Sequence, residues 1–304
     1  MVKRRDSRAK SRAIRESRTD QIFQYSVNTI AVIVLIITVY PLIFVLSASI
    51  SSPFALMAGR VWLWPIEPNL DGYRVVLAFD RLWSGLYNSF YITIIGTFIN
   101  LFVTTIAAYP LSRKDLKLRQ PILYMFVFTM LFSGGMIPTF LLVRDLGLIN
   151  TRWAVMIPNA MSMFNFMVMR TFFENSIPPE MHESARMDGC SDFRYILQIL
   201  LPLSKPIIAV MTLFYAVAHW NAFFGAIIYI RDRSLHPLQV ILREILLLHQ
   251  ETQMLEGVSH AEAAFLAEQM RYSLIVIASI PLLILYPFVQ KHFVKGVMVG
   301  AVKG

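Results

Sequence analysis

Two groups of residues in this 304-residue chain have the types and spacing to do chemistry, and neither is a catalytic set. The first lies in the segment 176–206, where Glu183, Arg186 and Asp188 put mixed charge on a short stretch that ends at Gly189. Mixed charge on a small helix suits docking against a soluble surface. The second group comprises Asn159, Asn165, Tyr215, His219, Trp220 and Asn221, hydrogen-bonding and aromatic side chains set inside long apolar runs. Catalytic signatures are missing. No G-x-x-x-x-G-K-[ST] loop exists to cradle phosphates, and there is no H-E-x-x-H or G-x-S-x-G motif. The six histidines are scattered without metal-ligand spacing, and the single Cys190 rules out an intrachain disulfide framework.

The elements that must position these residues are set by composition. The chain is 56% apolar and only 15% charged, against roughly 25% charged in ordinary soluble domains. A soluble fold of this length has too little polar surface to cover so many apolar groups, so the expected solvent is lipid. A bilayer core needs about 20 apolar residues in a helix. Six stretches meet or approach that length: Val27–Ile50, Ser89–Leu111, Pro121–Val143, Trp153–Met169, Pro206–Ile230 and Tyr272–Val289. The expectation is an all-α polytopic membrane protein with six transmembrane helices, preceded by a basic tail over residues 1–20. The fourth stretch is short and carries both Asn159 and Asn165.

The net charge of +9 follows topology and gives no sign of nucleic acid, because the cations cluster in the N-terminal arm and in loops. With the N-terminus inside, 19 of the 28 Lys and Arg fall on the inner side, which predicts both termini in the cytoplasm. The apolar run at Val27 is too long for a signal-peptide core and reads as an uncleaved first span. The spans hold no Asp, Glu, Lys or Arg, and His219 is their one ionisable group. Ion-coupled carriers keep a charged group at membrane depth. Uphill movement of a solute would therefore need energy from a partner.

The segment between the fourth and fifth spans parses as two short helices. Ser176 is the expected cap of the first, Pro178 and Pro179 suit its first turn, and Glu180 meets its positive end. Gly189 stands where a positive φ is wanted, and Ser191 or Asp192 can cap the second helix. Phe193, Ile196, Leu197, Leu200 and Leu201 form one apolar stripe, expected to hold that helix on the membrane domain. Pro202 and Pro206 predict a bend into the fifth span. On this pattern alone, a partner-docking knob and a plain interfacial loop fit equally well.

This segment resembles the EAA loop of ABC importer permeases, whose pattern is E-A-A, three residues, G, nine residues, then I-x-L-P. Glu183, Ser184, Ala185, Gly189, Ile199, Leu201 and Pro202 keep every spacing, with Ser184 as the one departure. From the first span to the end, the chain is similar to the carbohydrate-uptake branch of that family, closest to oligosaccharide and polysaccharide permeases. The stretches that carry the likeness are Y-P-L-I-F-V-L-S-A-S-I-S from Tyr40, A-A-Y-P-L-S-R-K from Ala107, F-S-G-G-M-I-P-T from Phe132, L-F-Y-A-V-A-H-W-N from Leu213 and the tail K-G-V-M-V-G-A-V-K-G.

The resemblance implies a maltose-permease-like transmembrane domain over residues 21–304, in a bacterial inner membrane. It implies partners as well: a second homologous permease, two cytoplasmic ATPase subunits that bind ATP and magnesium, and an extracellular solute-binding protein that delivers sugar. It implies no cofactor in this chain. The first helix of the loop, with Glu183, Ser184, Ala185, Asp188 and Gly189, would couple to an ATPase, and the tail through Gly296, Gly300 and Gly304 would reach toward the ATPase pair. Asn159, Asn165, Tyr215, His219, Trp220 and Asn221 are the residues suited to a sugar pathway, by amide hydrogen bonds and aromatic stacking. The alternative for each is interhelical bonding by the Asn side chains or interfacial anchoring by Trp220. Ser133, Gly134, Gly135 and Pro138 interrupt the third span, as close packing or as a flexing point. The outer loop 231–271 carries two helix-like stretches and is a binding-protein dock or a plain cap. A polytopic scaffold and a secondary transporter without an ATPase stay open as alternatives.

Overall fold

In the computed structural model the described residues are 17–254 and 270–287, and among them there are helices and no strand. Helix α1, Arg18–Ser49, is apolar all round beyond its first three turns, and only Ser47, Ala48 and Ser49 at its end are buried. A helix with no polar face has no preferred side toward a soluble core, and lipid satisfies it. Its start is set by Ser17, whose Oγ accepts the Thr19 N–H at 3.1 Å. Two short helices follow, α2 over Pro53–Met57 and α3 over Asp71–Leu77.

Helix α4, Asp80–Ser112, is the axis of the bundle. Asn88, Ile92, Gly96, Asn100, Thr104 and Ala108 lie four residues apart and are all buried. Side chains at i+4 spacing form one ridge along a helix, so half of the innermost ridge is polar. Helices α7 (Trp153–Met156) and α8 (Met163–Ser176) pack against it, α5 (Arg119–Leu131) packs on α8, and α6 (Met136–Asp145) shares a small core with Ala154 and Tyr229. The expected coupling hairpin follows as α9, Pro179–Met187, and α10, Asp192–Tyr195. A π-helical turn over Ile196–Leu200 and a short α11, Leu201–Leu203, lead into α12, Lys205–Trp220. Next come α13, Phe224–Tyr229, and α14, Leu238–Met254, which crosses α4. The last described helix, α15, is Met270–Pro287; its Leu274 and Ala278 share a core with Leu82, Trp220 and Leu238.

Helices α1, α4 and α15 are each long and apolar enough to cross a membrane. Two further pairs qualify if each bent pair is one span: α5 with α6, bent by 114°, and Asp192–Leu203 with α12, bent by 86°. The first bend sits where Gly135 takes φ +83°, a conformation that side chains with a Cβ disfavour. The second follows from Pro202, which has no N–H for the preceding turn. The backbone answers with i→i−5 bonding, and the Leu201 N–H reaches the Ile196 carbonyl.

The fourth stretch departs from expectation. Trp153–Met169 is not one helix, because α7 stops at Met156 and α8 starts at Met163, with Pro158 in the gap. The described residues therefore account for up to five spans by length and composition. Ser176 does not cap α9; it is the last residue of α8. Pro178 forces Ile177 into extended backbone, and α9 begins at Pro179 with Pro178 in the cap position. The apolar stripe on the second helix of the hairpin also divides. Tyr195 and Leu200 are buried while Phe193 is 70% and Leu197 50% exposed, because the π turn rotates the later residues relative to the earlier ones. The tail 295–304, most of 1–20 and the stretch 261–269 lie outside the described residues.

Candidate functional site

The first site is a notch of about 370 Å³ at the α9 end of the bundle. Helix α9 stops at a Schellman motif: the Cys190 N–H reaches the Ala185 carbonyl and the Gly189 N–H the Arg186 carbonyl, with Gly189 at φ +75°. Ser191 Oγ accepts the Arg194 N–H and starts α10. Of the residues expected to couple, Ala185 is buried in the same core as Tyr109, Tyr195 and Leu200, while Glu183, Ser184, Asp188 and Gly189 are exposed. Ile199 and Leu201 are half-buried, and Pro202 is exposed. Met187, at the tip, is 88% exposed. The hairpin is thus seated by one alanine and presents a polar outer face.

Two polar clusters that sequence reasoning missed hold this end together. In one, Arg113, just past the end of α4, donates through Nη1 to His182 Nε2 at 2.6 Å and grips Asp115 through Nε and Nη2. A guanidinium only donates, so His182 accepts at Nε2 and carries its proton on Nδ1, facing Tyr109 Oη at 3.1 Å. Burial first, and the Arg113 charge second, push the His182 imidazole below its ordinary value. The Asp115 carboxylate holds Arg113 firmly protonated, and Arg113 in turn keeps Asp115 below the usual carboxylate range. In the other cluster, Arg119 and Arg170 each donate from Nε to the Leu111 carbonyl, at 3.1 and 2.9 Å. Glu174 takes one further bond from each guanidinium, at 2.5 and 2.7 Å. The carbonyls in the last turn of a helix lack partners within it, and here two cations supply them. The signal in the sequence was the i,i+4 pair Arg170 and Glu174.

The second site is a cavity of about 640 Å³ between α4, α8 and α12. Asn159, Asn165, Tyr215 and His219 all line it, together with Asn100 and Ser162, which sequence reasoning passed over. Asn100 organises the wall. Its Nδ2 donates to the Asn159 carbonyl at 2.6 Å, and its Oδ1 meets His219 Nε2 at 2.7 Å. The broken fourth stretch thus has a purpose, since an unwound carbonyl at this depth finds a side-chain donor. Tyr215 Oη lies 2.6 Å from Thr104 Oγ1 and accepts the Ser162 N–H. The lining has no Asp, Glu, Lys or Arg. Two expected residues fall elsewhere. Trp220 packs edge-on against Phe90 and donates to the Ala278 carbonyl, and the Asn221 amide turns back to the Val217 carbonyl. The i+4 spacing of Asn88, Gly96, Asn100 and Thr104 was the readable clue to the missed wall.

A polar, uncharged cavity inside a lipid-facing bundle, with a helical hairpin at one end, defines a membrane permease. Residues 82–299 match the family model for the binding-protein-dependent transport system inner membrane component, and the chain belongs to that family. It is 42% identical over 269 residues to the polygalacturonan/rhamnogalacturonan transport system permease protein YtcP of Bacillus subtilis (strain 168), covering 88% of this chain and 94% of that one. It is 41% identical to protein LplC of the same organism, over 88% and 90% of the two chains. A chain in the crystal structure of a bacterial ABC transporter involved in the import of the acidic polysaccharide alginate superposes with a TM-score of 0.83 at 34% identity, covering 92% of this chain and 99% of that one.

Proposed function

We propose that this chain is the transmembrane permease subunit of an ATP-driven importer of oligosaccharides, the substrates being fragments of acidic polysaccharides. The observation that carries the reading is the uncharged hydrogen-bonding cavity of Asn100, Asn159, Ser162, Asn165, Tyr215 and His219. Amides, hydroxyls and an imidazole match the alternating donors and acceptors of sugar hydroxyls, and at this depth polar side chains must be satisfied by protein, water or solute. The likeness to a polygalacturonan/rhamnogalacturonan permease and to an alginate importer supports the substrate class.

In this reading α9 and its exposed Glu183, Ser184, Asp188 and Met187 face the cytoplasm and seat in an ATPase subunit. A second permease completes the pathway, two ATPase subunits bind ATP and magnesium, and a solute-binding protein delivers sugar from outside. Both chain termini are cytoplasmic. The test is reconstitution in proteoliposomes with those partners, followed by uptake of labelled galacturonan and alginate oligosaccharides. Uptake that needs ATP and binding protein, and that falls with Asn165→Leu, is the expected outcome. Uptake that ignores ATP depletion but collapses with an ion gradient would point to a secondary transporter instead.

A further inference from the structure

Among the described residues, the side-chain hydrogen bonds that tie α9 to other elements all run through His182. Its Nε2 accepts from Arg113, its Nδ1–H meets Tyr109, and its ring stands edge-on to Tyr195 at 4.9 Å. Tyr109 and Arg113 belong to the end of α4. Arg113 is itself held from turning by the two-pronged grip on Asp115, and Asp192 Oδ1 lies 3.4 Å from it. Nine residues further along α4, roughly 14 Å at 1.5 Å per residue, Asn100 holds the cavity wall through Asn159 and His219. The Arg119–Glu174–Arg170 cluster on the Leu111 carbonyl fastens the end of α8 to the same end of α4. Helix α8 carries Asn165, also in the cavity.

We infer that the His182–Arg113 pair is the joint through which a displacement of α9 moves α4 and α8 as one body, and so reshapes the solute cavity. Tyr109 and Asp115 are positioning residues for that joint, and the inference rests on the import reading above. Packing alone does not supply such a joint, because Ala185 is the single buried side chain of α9 and an alanine contact can slide. Hydrogen bonds of fixed direction resist sliding. Arg113 cannot be replaced by a point charge, since the fork on Asp115 and the bond to His182 use three different nitrogens and hydrogens of one plane.

The experiment uses the whole transporter with His182→Ala, His182→Gln and Arg113→Lys. The readout is solute imported per ATP hydrolysed. His182→Ala is expected to keep the ATPase on co-purification and to keep hydrolysing, while import per ATP falls at least tenfold. His182→Gln, whose amide can accept from Arg113 and donate to Tyr109, restores most of it; Arg113→Lys does not. A wild-type ratio in His182→Ala overturns the joint, and so does loss of the ATPase on co-purification, which would make the contact a mere support for docking. A second measurement is independent of transport. Spin labels at the exposed positions Glu180 and Phe102, in a Cys190→Ser background, are expected to hold one distance through the nucleotide cycle in the wild type and to separate in His182→Ala. A distance that changes in the wild type overturns the inference even if import proceeds. A wild type that imports no oligosaccharide while the distance holds sinks the import reading alone.

Discussion

His219 Nε2 lies 2.7 Å from Asn100 Oδ1, and the imidazole rests directly on the α4 backbone at Gly96. A Cβ at position 96 would stand 2.6 Å from that nitrogen. Helices α4 and α12 can approach this closely because one of them has no side chain at the crossing.

Gly96→Ala is therefore expected to push the ring off Asn100 and strain the crossing. Overpacking of this kind costs about 1–3 kcal/mol. A lower melting temperature of the purified complex, together with reduced uptake, is the expected pair of results. Uptake and melting both at wild-type values would mean that the ring has room to move.

At Gly189 the demand is conformational, since φ is +75° and nothing lies within 4 Å of an added Cβ. Gly189→Val is expected to cost about 1–2 kcal/mol and to misplace α9, while Gly189→Asn, which tolerates this backbone, keeps ATP-coupled uptake. Glu183→Lys leaves the fold intact, because the side chain is exposed, and is expected to uncouple hydrolysis from uptake. Equal uptake in all three variants would remove the hairpin from the coupling path.

Acidification tests His182. Its folded-state value lies below the ordinary 6.5, so the contact is fully present above pH 6.5 and is lost as pH falls through the lowered value. Protonation sets an imidazolium against Arg113 and Arg186, partly offset by Asp192 and Asp115, with Tyr109 and Tyr195 as the uncharged neighbours. Import per ATP is expected to decline in the wild type as pH falls below the ordinary 6.5 and through the lowered value, and to be pH-independent there in His182→Gln, as measured in proteoliposomes buffered on the α9 side.

The Leu111 cluster sets a stability prediction. The side chains of Arg119 and Arg170 are only 14% and 12% exposed. Glu174→Leu strands both cations, and breaking a buried pair in this way costs roughly 3–5 kcal/mol. Thermal unfolding in detergent should show the loss, and Glu174→Asp should recover part of it.

Cys190 is the single cysteine of the chain and is half-buried beside the hairpin. Membrane-impermeant thiol reagents are expected to label it from the inner face of oriented vesicles only. Labelling from the outer face would put α9 on the wrong side for an ATPase.

Apolar run length and turn chemistry determined by themselves a lipid-embedded helical chain with a short hairpin ending at Gly189, because solvent preference and turn chemistry are local properties of the chain, while the permease reading came from the resemblance carried by the spacing from Glu183 to Pro202. Trp153–Met169 read as one span, and only the fold opens it at Pro158 and brings the freed Asn159 carbonyl to the Asn100 amide. Trp220 and Asn165 looked alike as polar groups in apolar runs, and packing alone sent one to the Phe90 core and the other to the cavity. The pairs Arg113–His182 and Asn100–His219 are separated by 69 and 119 residues. Such contacts depend on which faces of two helices meet, and periodicity within one helix carries no information about the face its neighbour presents.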